Sequence, residues 1–105
     1  MSRTKDQRSL QQTIFIVDDD RLLLDAMGSL LRARGEDVEV HPNAEGFLHG
    51  YVPSRRGCLV VDDKLPGLRG VDLLEKLKAE GALLPSIVIT GHGEIATAVR
   101  AMSEP

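Results

Sequence analysis

The chain has 105 residues, of which 42% are hydrophobic, 28% charged and 3% aromatic, and its formal net charge is −3. That length holds one domain with a core of Leu, Val, Ile and Ala, and the acidic balance excludes the clustered Lys and Arg of a nucleic-acid surface. No direct DNA binding by this chain is expected, and no stretch approaches the ~18 consecutive apolar residues of a membrane span.

The first twelve residues, MSRTKDQRSLQQ, are polar and lack the apolar centre of a secretory signal, so residues 1–12 are expected to be a flexible lead. From Thr13 short apolar runs alternate with longer amphipathic ones, the pattern of strands joined by helices. TIFIV, Thr13 to Val17, reads as a central strand buried on both faces, and it ends at three aspartates, Asp18 to Asp20. Asp20 suits the N-cap of a helix, RLLLDAMGSLLRARG, whose inward face is expected to carry Leu23, Ala26, Met27, Leu30 and Leu31. Arg32 and Arg34 load its last turn, and Gly35 stops it.

DVEVH, Asp37 to His41, alternates like an outer strand, and NAEGFLHGYV reads as a short helix capped by Asn43 and anchored by Phe47, Leu48 and Tyr51. GCLVV, Gly57 to Val61, is a second buried strand that runs into Asp62 and Asp63. Its cysteine, Cys58, is the only one in the chain, which suits a packed side chain in a reducing, cytoplasmic setting. After DDKLPGLRG, the run VDLLEKLKAEG is amphipathic through Val71, Leu74 and Leu77 and stops at Gly81. A fourth strand is expected over Ser86 to Thr90 and a final helix over Glu94 to Met102, giving four βα units.

In an open parallel sheet, ligands bind beyond the carboxyl ends of the strands. The residues there are Asp18 and Asp19, Asp62 and Asp63, and Thr90. If the first and third strands are neighbours, carboxylates about 4 Å apart repel by roughly 4 kcal/mol at an effective dielectric of 20. Mg²⁺ offsets such charge with few carboxylates and retained waters, leaving space for a phosphate oxygen. A carboxylate beside that metal, opposite the Thr90 hydroxyl, can attack a phosphoryl group. The chemistry expected is an aspartyl phosphate.

IFIVDDD, LVVDDKLPGLRG and IVITG at this spacing resemble the receiver domain of bacterial two-component response regulators, and ITGHGEIATAVRAM is most similar to the FixJ-like branch. The resemblance runs from Thr13 to about Met102. It implies a flavodoxin-like (CheY-like) α/β fold with strand order 2-1-3-4-5, an order that comes from the family and not from the spacing. It also implies that Asp62 is the phosphoacceptor, served by the phosphohistidine of a cognate histidine kinase, and that Asp63 is a loop neighbour. Mg²⁺ is then held by Asp62, by Asp19 directly, by Asp18 through water, and by the Lys64 backbone carbonyl, with Thr90 as the switch hydroxyl. The implied role is the regulatory part of a transcriptional regulator, a phosphoacceptor and not an enzyme with a diffusing substrate.

Members of that family continue into a fifth strand carrying a lysine, an aromatic switch residue and a fifth helix, whereas residues 13–105 stop before them. The missing lysine removes a charge-assisted contact to the phosphoryl group, and the uncovered sheet face and open edge lead to the expectation of a dimer through the exposed fourth strand and fourth helix, a swapped assembly or a marginally stable fragment. A phosphorylation-independent interaction module is the alternative function. A phosphatase of the aspartyl-nucleophile type would use the Asp18/Asp20 spacing but lacks a following Thr. The plain readings leave Asp20, Asp63 and Asp72 as turn or cap residues, His41, His49 and His92 as solvated side chains, and Arg69 and Arg100 as isolated surface charges.

Overall fold

The computed structural model describes residues 12–90; the helix expected over Glu94 to Met102, with His92 and Arg100, lies outside them. The chain runs β1 (Gln12–Val17), α1 (Arg21–Ala33), β2 (Val38–His41), α2 (Ala44–Gly50), β3 (Arg56–Asp62), a two-residue hairpin β4 (Lys64–Leu65) and β5 (Leu68–Arg69), α3 (Gly70–Ala79) and β6 (Ser86–Ile89). The four longer strands form one parallel sheet in the order β2-β1-β3-β6. Among the described residues its outer strands are β2 and β6, the first in line with the alternation of DVEVH. Gln12, placed in the lead by its polarity, is the first residue of β1 and pairs with Arg56.

The larger core cluster lies on one face of this sheet, while Ile16 and Leu24 are buried on the α1 face. Alternation along the strands turns Phe15, Val17, Leu59, Val61 and Val88 towards α2 and α3, where they join Ala44, Phe47, Leu65, Leu73, Leu77 and Ala82. Phe15 meets the edges of Phe47 and Tyr51 at 5.4 and 5.7 Å between ring centroids, so the scarce aromatics are spent in one cluster. Each fully buried Leu, Val or Phe contributes roughly 1.5–3 kcal/mol.

Of the two amphipathic helices, α1 sits about one residue round from the expected face, while α3 packs Val71, Leu74 and Leu77 against the core as expected, with Leu73 beside them. In α1 the buried residues are Leu24 and Gly28, flanked by part-buried Met27 and Leu31, while Leu23, Ala26 and Leu30 are exposed. The run of leucines supports either stripe, and the glycine decides between them: a Cβ on Gly28 would lie 3.3 Å from Val40 Cγ1, so the helix approaches β2 on that side. In α3, Leu73 and Leu77 are buried and Val71 and Leu74 only half-buried. On the α1 side of the sheet, Ile87 and Ile89 of β6 remain 38% and 37% exposed.

Next to the core, Arg55 lies 4.8 Å above the Phe15 ring, forms an ion pair with Glu39 and donates to the Gly50 carbonyl at 3.2 Å. Glu39 also meets His41 Nε2 at 3.1 Å, and the His41 ring packs edge-on against Phe47, so His41 is a partnered, largely buried residue. The Arg55 hydrogen bond, against the opposing effect of burial, holds the Glu39 carboxyl below its ordinary range, with His41 adding to the lowering. Stability from a lowered carboxyl is present above its ordinary value of 4.5 and lost as pH falls through the native value. Glu39→Gln should therefore cost about 0.5–1 kcal/mol at pH 7 in urea unfolding, and the difference from wild type should shrink below pH 4.5. A difference independent of pH would contradict this.

Candidate functional site

The site follows from the register of two strands. Val17 of β1 pairs with Val61 of β3, so the residues that come next, Asp18 and Asp62, leave the sheet at the same edge. Asp18 is buried; its N–H donates to the His41 carbonyl at 3.1 Å, and its Oδ1 accepts from the Asp20 N–H at 2.9 Å. Asp20 in turn caps α1, its Oδ1 accepting from Leu23 N–H at 3.2 Å. The aspartate triplet is thus divided between one inward carboxylate, one exposed carboxylate at Asp19 and one cap.

Half-buried Asp62 accepts the Lys64 N–H on Oδ1 at 3.2 Å. One carboxylate oxygen from each of Asp18, Asp19 and Asp62 lies within 4.8 Å of the others. Burial pushes the Asp18 carboxyl above its ordinary value; the Asp20 N–H opposes this, and the charges of Asp62, Asp19 and Asp20 add to the rise. Three convergent carboxylates with one of them buried fit a hard divalent cation, which takes oxygen ligands and neutralises their repulsion. Lys64 begins β4 beside Asp62, and Thr90 follows Ile89, the register partner of Asp62, which brings it to the same edge.

Asp63, read from the sequence as a turn residue and loop neighbour of Asp62, is 6% exposed. Its Oδ2 lies 2.5 Å from Arg69 Nη2, so Arg69 is no isolated surface charge. The alternation Leu59, Val61, Asp63 carried the signal, since it turns Asp63 to the core face. Cys58 is half-buried, and burial, with the Glu36 charge adding, pushes its thiol up and away from reactivity. It lines a concavity of about 790 Å³ that also includes Thr13, Arg56 and Pro85, at the amino-terminal edge of the strands. That hollow is at the wrong end of the sheet for the carboxylate chemistry.

A parallel sheet in this order, with acidic residues at its carboxyl edge, is the doubly wound class whose ligand sites lie at that edge. The family described as response regulator receiver domain matches residues 14–104. The transcriptional regulatory protein FixJ of Azorhizobium caulinodans is 42% identical over 89 residues, 85% of this chain and 42% of that protein. The response regulator protein TodT of Pseudomonas putida is 42% identical over 89 residues, 85% of this chain and 39% of that protein. Among solved structures, the response regulator StyR is similar with a TM-score of 0.78 and 38% identity, over 88% of this chain and 48% of that one. FixJ-N gives 0.73 and 41%, over 88% and 74%. The chain belongs to the response regulator receiver domain family, the domains of two-component phosphorelay signalling, and spans about two fifths of the length of the curated relatives it matches. Among the described residues no helix is long and apolar enough to cross a membrane.

A carboxyl raised in the native state favours the fold when protonated, so stability is fullest below its ordinary value of 3.8 and falls as pH rises through the raised value. Asp18→Asn keeps an oxygen for the Asp20 N–H and removes the charge. In chelator at pH 7 this variant should melt above wild type, and the gain should vanish as pH falls to 3.8. An equal or lower melting temperature at pH 7 would show that the cluster is not strained.

Proposed function

We propose that Asp62 is a phosphoacceptor served by a histidine kinase, and that the chain is the receiving part of a transcriptional response regulator. The observation that carries this reading is the set of three carboxylates within 4.8 Å at the end of β1 and β3. In the reaction an Asp62 oxygen attacks phosphorus, the P–N bond to the donor imidazole breaks, and the imidazole leaves with the bonding pair. Mg²⁺, when bound, shields the approaching phosphoryl oxygens from the carboxylates. Asp19 and Asp62 would hold it directly, Asp18 through water, and the Lys64 carbonyl would complete the protein's share. The Thr90 hydroxyl donates to a phosphoryl oxygen once the aspartyl phosphate has formed, which gives the new charge a partner beyond the metal.

The names of FixJ and TodT, a transcriptional regulatory protein and a response regulator, support the wider role. Half-exposed Ile87 and Ile89 on β6 support self-association at that side of the sheet. Incubation of the chain with a labelled acyl-phosphate donor and Mg²⁺ should place label on Asp62. Asp62→Ala or a chelator should abolish it, while Lys64→Ala should retain it because the lysine acts through its carbonyl. Label that persists in Asp62→Ala would overturn the assignment.

A further inference from the structure

Asp63 occupies an unusual position for a charge. It lies on the core face of the sheet, 6% exposed, where a carboxylate without a counter-charge is strongly disfavoured. Its Oδ2 has the Arg69 guanidinium at 2.5 Å, while its Oδ1 is buried with no hydrogen-bond partner among the described residues. The main chain of Asp63 is fixed at the same place: its N–H donates to the Ile89 carbonyl at 2.9 Å, and its carbonyl accepts from Gly70 N–H at 3.0 Å.

Between those anchors the chain makes the β4–β5 hairpin, with Lys64 opposite Arg69, Leu65 opposite Leu68, and a turn at Pro66-Gly67 where Gly67 has φ 75°. A Cβ on Gly70 would lie 2.7 Å from the Asp62 carbonyl oxygen, so the start of α3 presses directly on the acceptor strand. Residues 63–70 therefore form a closed loop whose two ends meet at Asp63. Lys64 is the first residue of that loop, and its N–H is bonded to the Asp62 carboxylate. Any spreading of the hairpin base moves both the Lys64 carbonyl and the hydrogen bond that aims Asp62.

We propose that Asp63 and Arg69 are positioning residues for the acidic centre, their ion pair clamping the base of the β4–β5 hairpin so that Asp62 and the Lys64 carbonyl stay set for Mg²⁺. The inference rests on the reading of Asp62 as acceptor. Arg69 suits such a role because its side chain is 67% exposed, so its truncation sacrifices little packing yet leaves the buried Asp63 charge without its partner. Groups that orient metal ligands without touching the metal shift affinity by about 10–100-fold when removed.

The test measures Mg²⁺ half-saturation in two ways on the full chain: the rate of acyl-phosphate labelling and the metal-induced rise in melting temperature. Arg69→Met should raise the half-saturating Mg²⁺ concentration about 10-fold while the labelling rate at saturating Mg²⁺ stays close to wild type. Arg69→Lys, which restores the charge without the planar fork, should recover part of the shift. Arg55→Met serves as a control, since it loosens the fold on the far side of the core and should leave half-saturation unchanged. If Arg69→Met does not fold, the double variant Asp63→Leu/Arg69→Met removes the stranded charge and should show the same loss of affinity. Wild-type half-saturation in a folded Arg69→Met protein, or an equal shift in Arg55→Met, overturns the clamp. Absence of label from wild-type Asp62 overturns the acceptor reading instead, and the melting-temperature readout still decides the clamp.

Discussion

The parallel pairing of β1 with β3 is the constraint on which the rest of this molecule depends. It ends both strands at one edge in matching register, so Asp18 and Asp62 cannot avoid each other. Carboxylates at about 4–5 Å repel by roughly 3–4 kcal/mol at an effective dielectric of 20, a large fraction of the roughly 5–15 kcal/mol by which a typical domain is stable. The local structure is organised to tolerate this: Asp18 is bound by the Asp20 amide, Asp20 is drawn away as a helix cap, and Asp19 is left to solvent. Stability is given up at the edge that the proposed function assigns to a cation and a phosphoryl group.

What holds that edge is the other face of the same strands. Phe15, Val17, Leu59 and Val61 are inaccessible to solvent and packed against Phe47 and Leu73, so the strand ends that carry the aspartates are extensions of the best-packed part of the chain. Gly70 lets α3 touch the end of β3, and the hairpin between them returns Arg69 to Asp63. Asp62 thus projects from a rigid base, which suits the acceptor role proposed for it.

Much of this was legible in the sequence. Apolar runs bounded by acids identified the strands, Asp20 and Asn43 announced their helices, and Asp18, Asp19 and Asp62 stood out because all three follow strands of one polarity. Two kinds of feature were not. The rotation of α1 hinged on Gly28, whose importance is the absence of a side chain next to Val40, a fact about a distant strand. The Asp63–Arg69 pair joins residues six apart across the β4–β5 hairpin, a pairing that no local pattern in the sequence announces. Asp63 reads as a turn residue beside Asp62, while the strand's alternation places it inside; alternation prevails because Arg69 reaches the charge.

The central claim is that the acidic edge is incomplete without a divalent cation. Calorimetric melting of the full chain at pH 7 across a Mg²⁺ titration tests it most directly, because a ligand that binds only the native state adds about 2.7 kcal/mol at a hundredfold excess over its dissociation constant. The account predicts a melting temperature that climbs with the logarithm of Mg²⁺ concentration in wild type and stays level in Asp19→Asn/Asp62→Asn. A wild-type melting temperature indifferent to Mg²⁺, or a rise of the same size in the double variant, would contradict it.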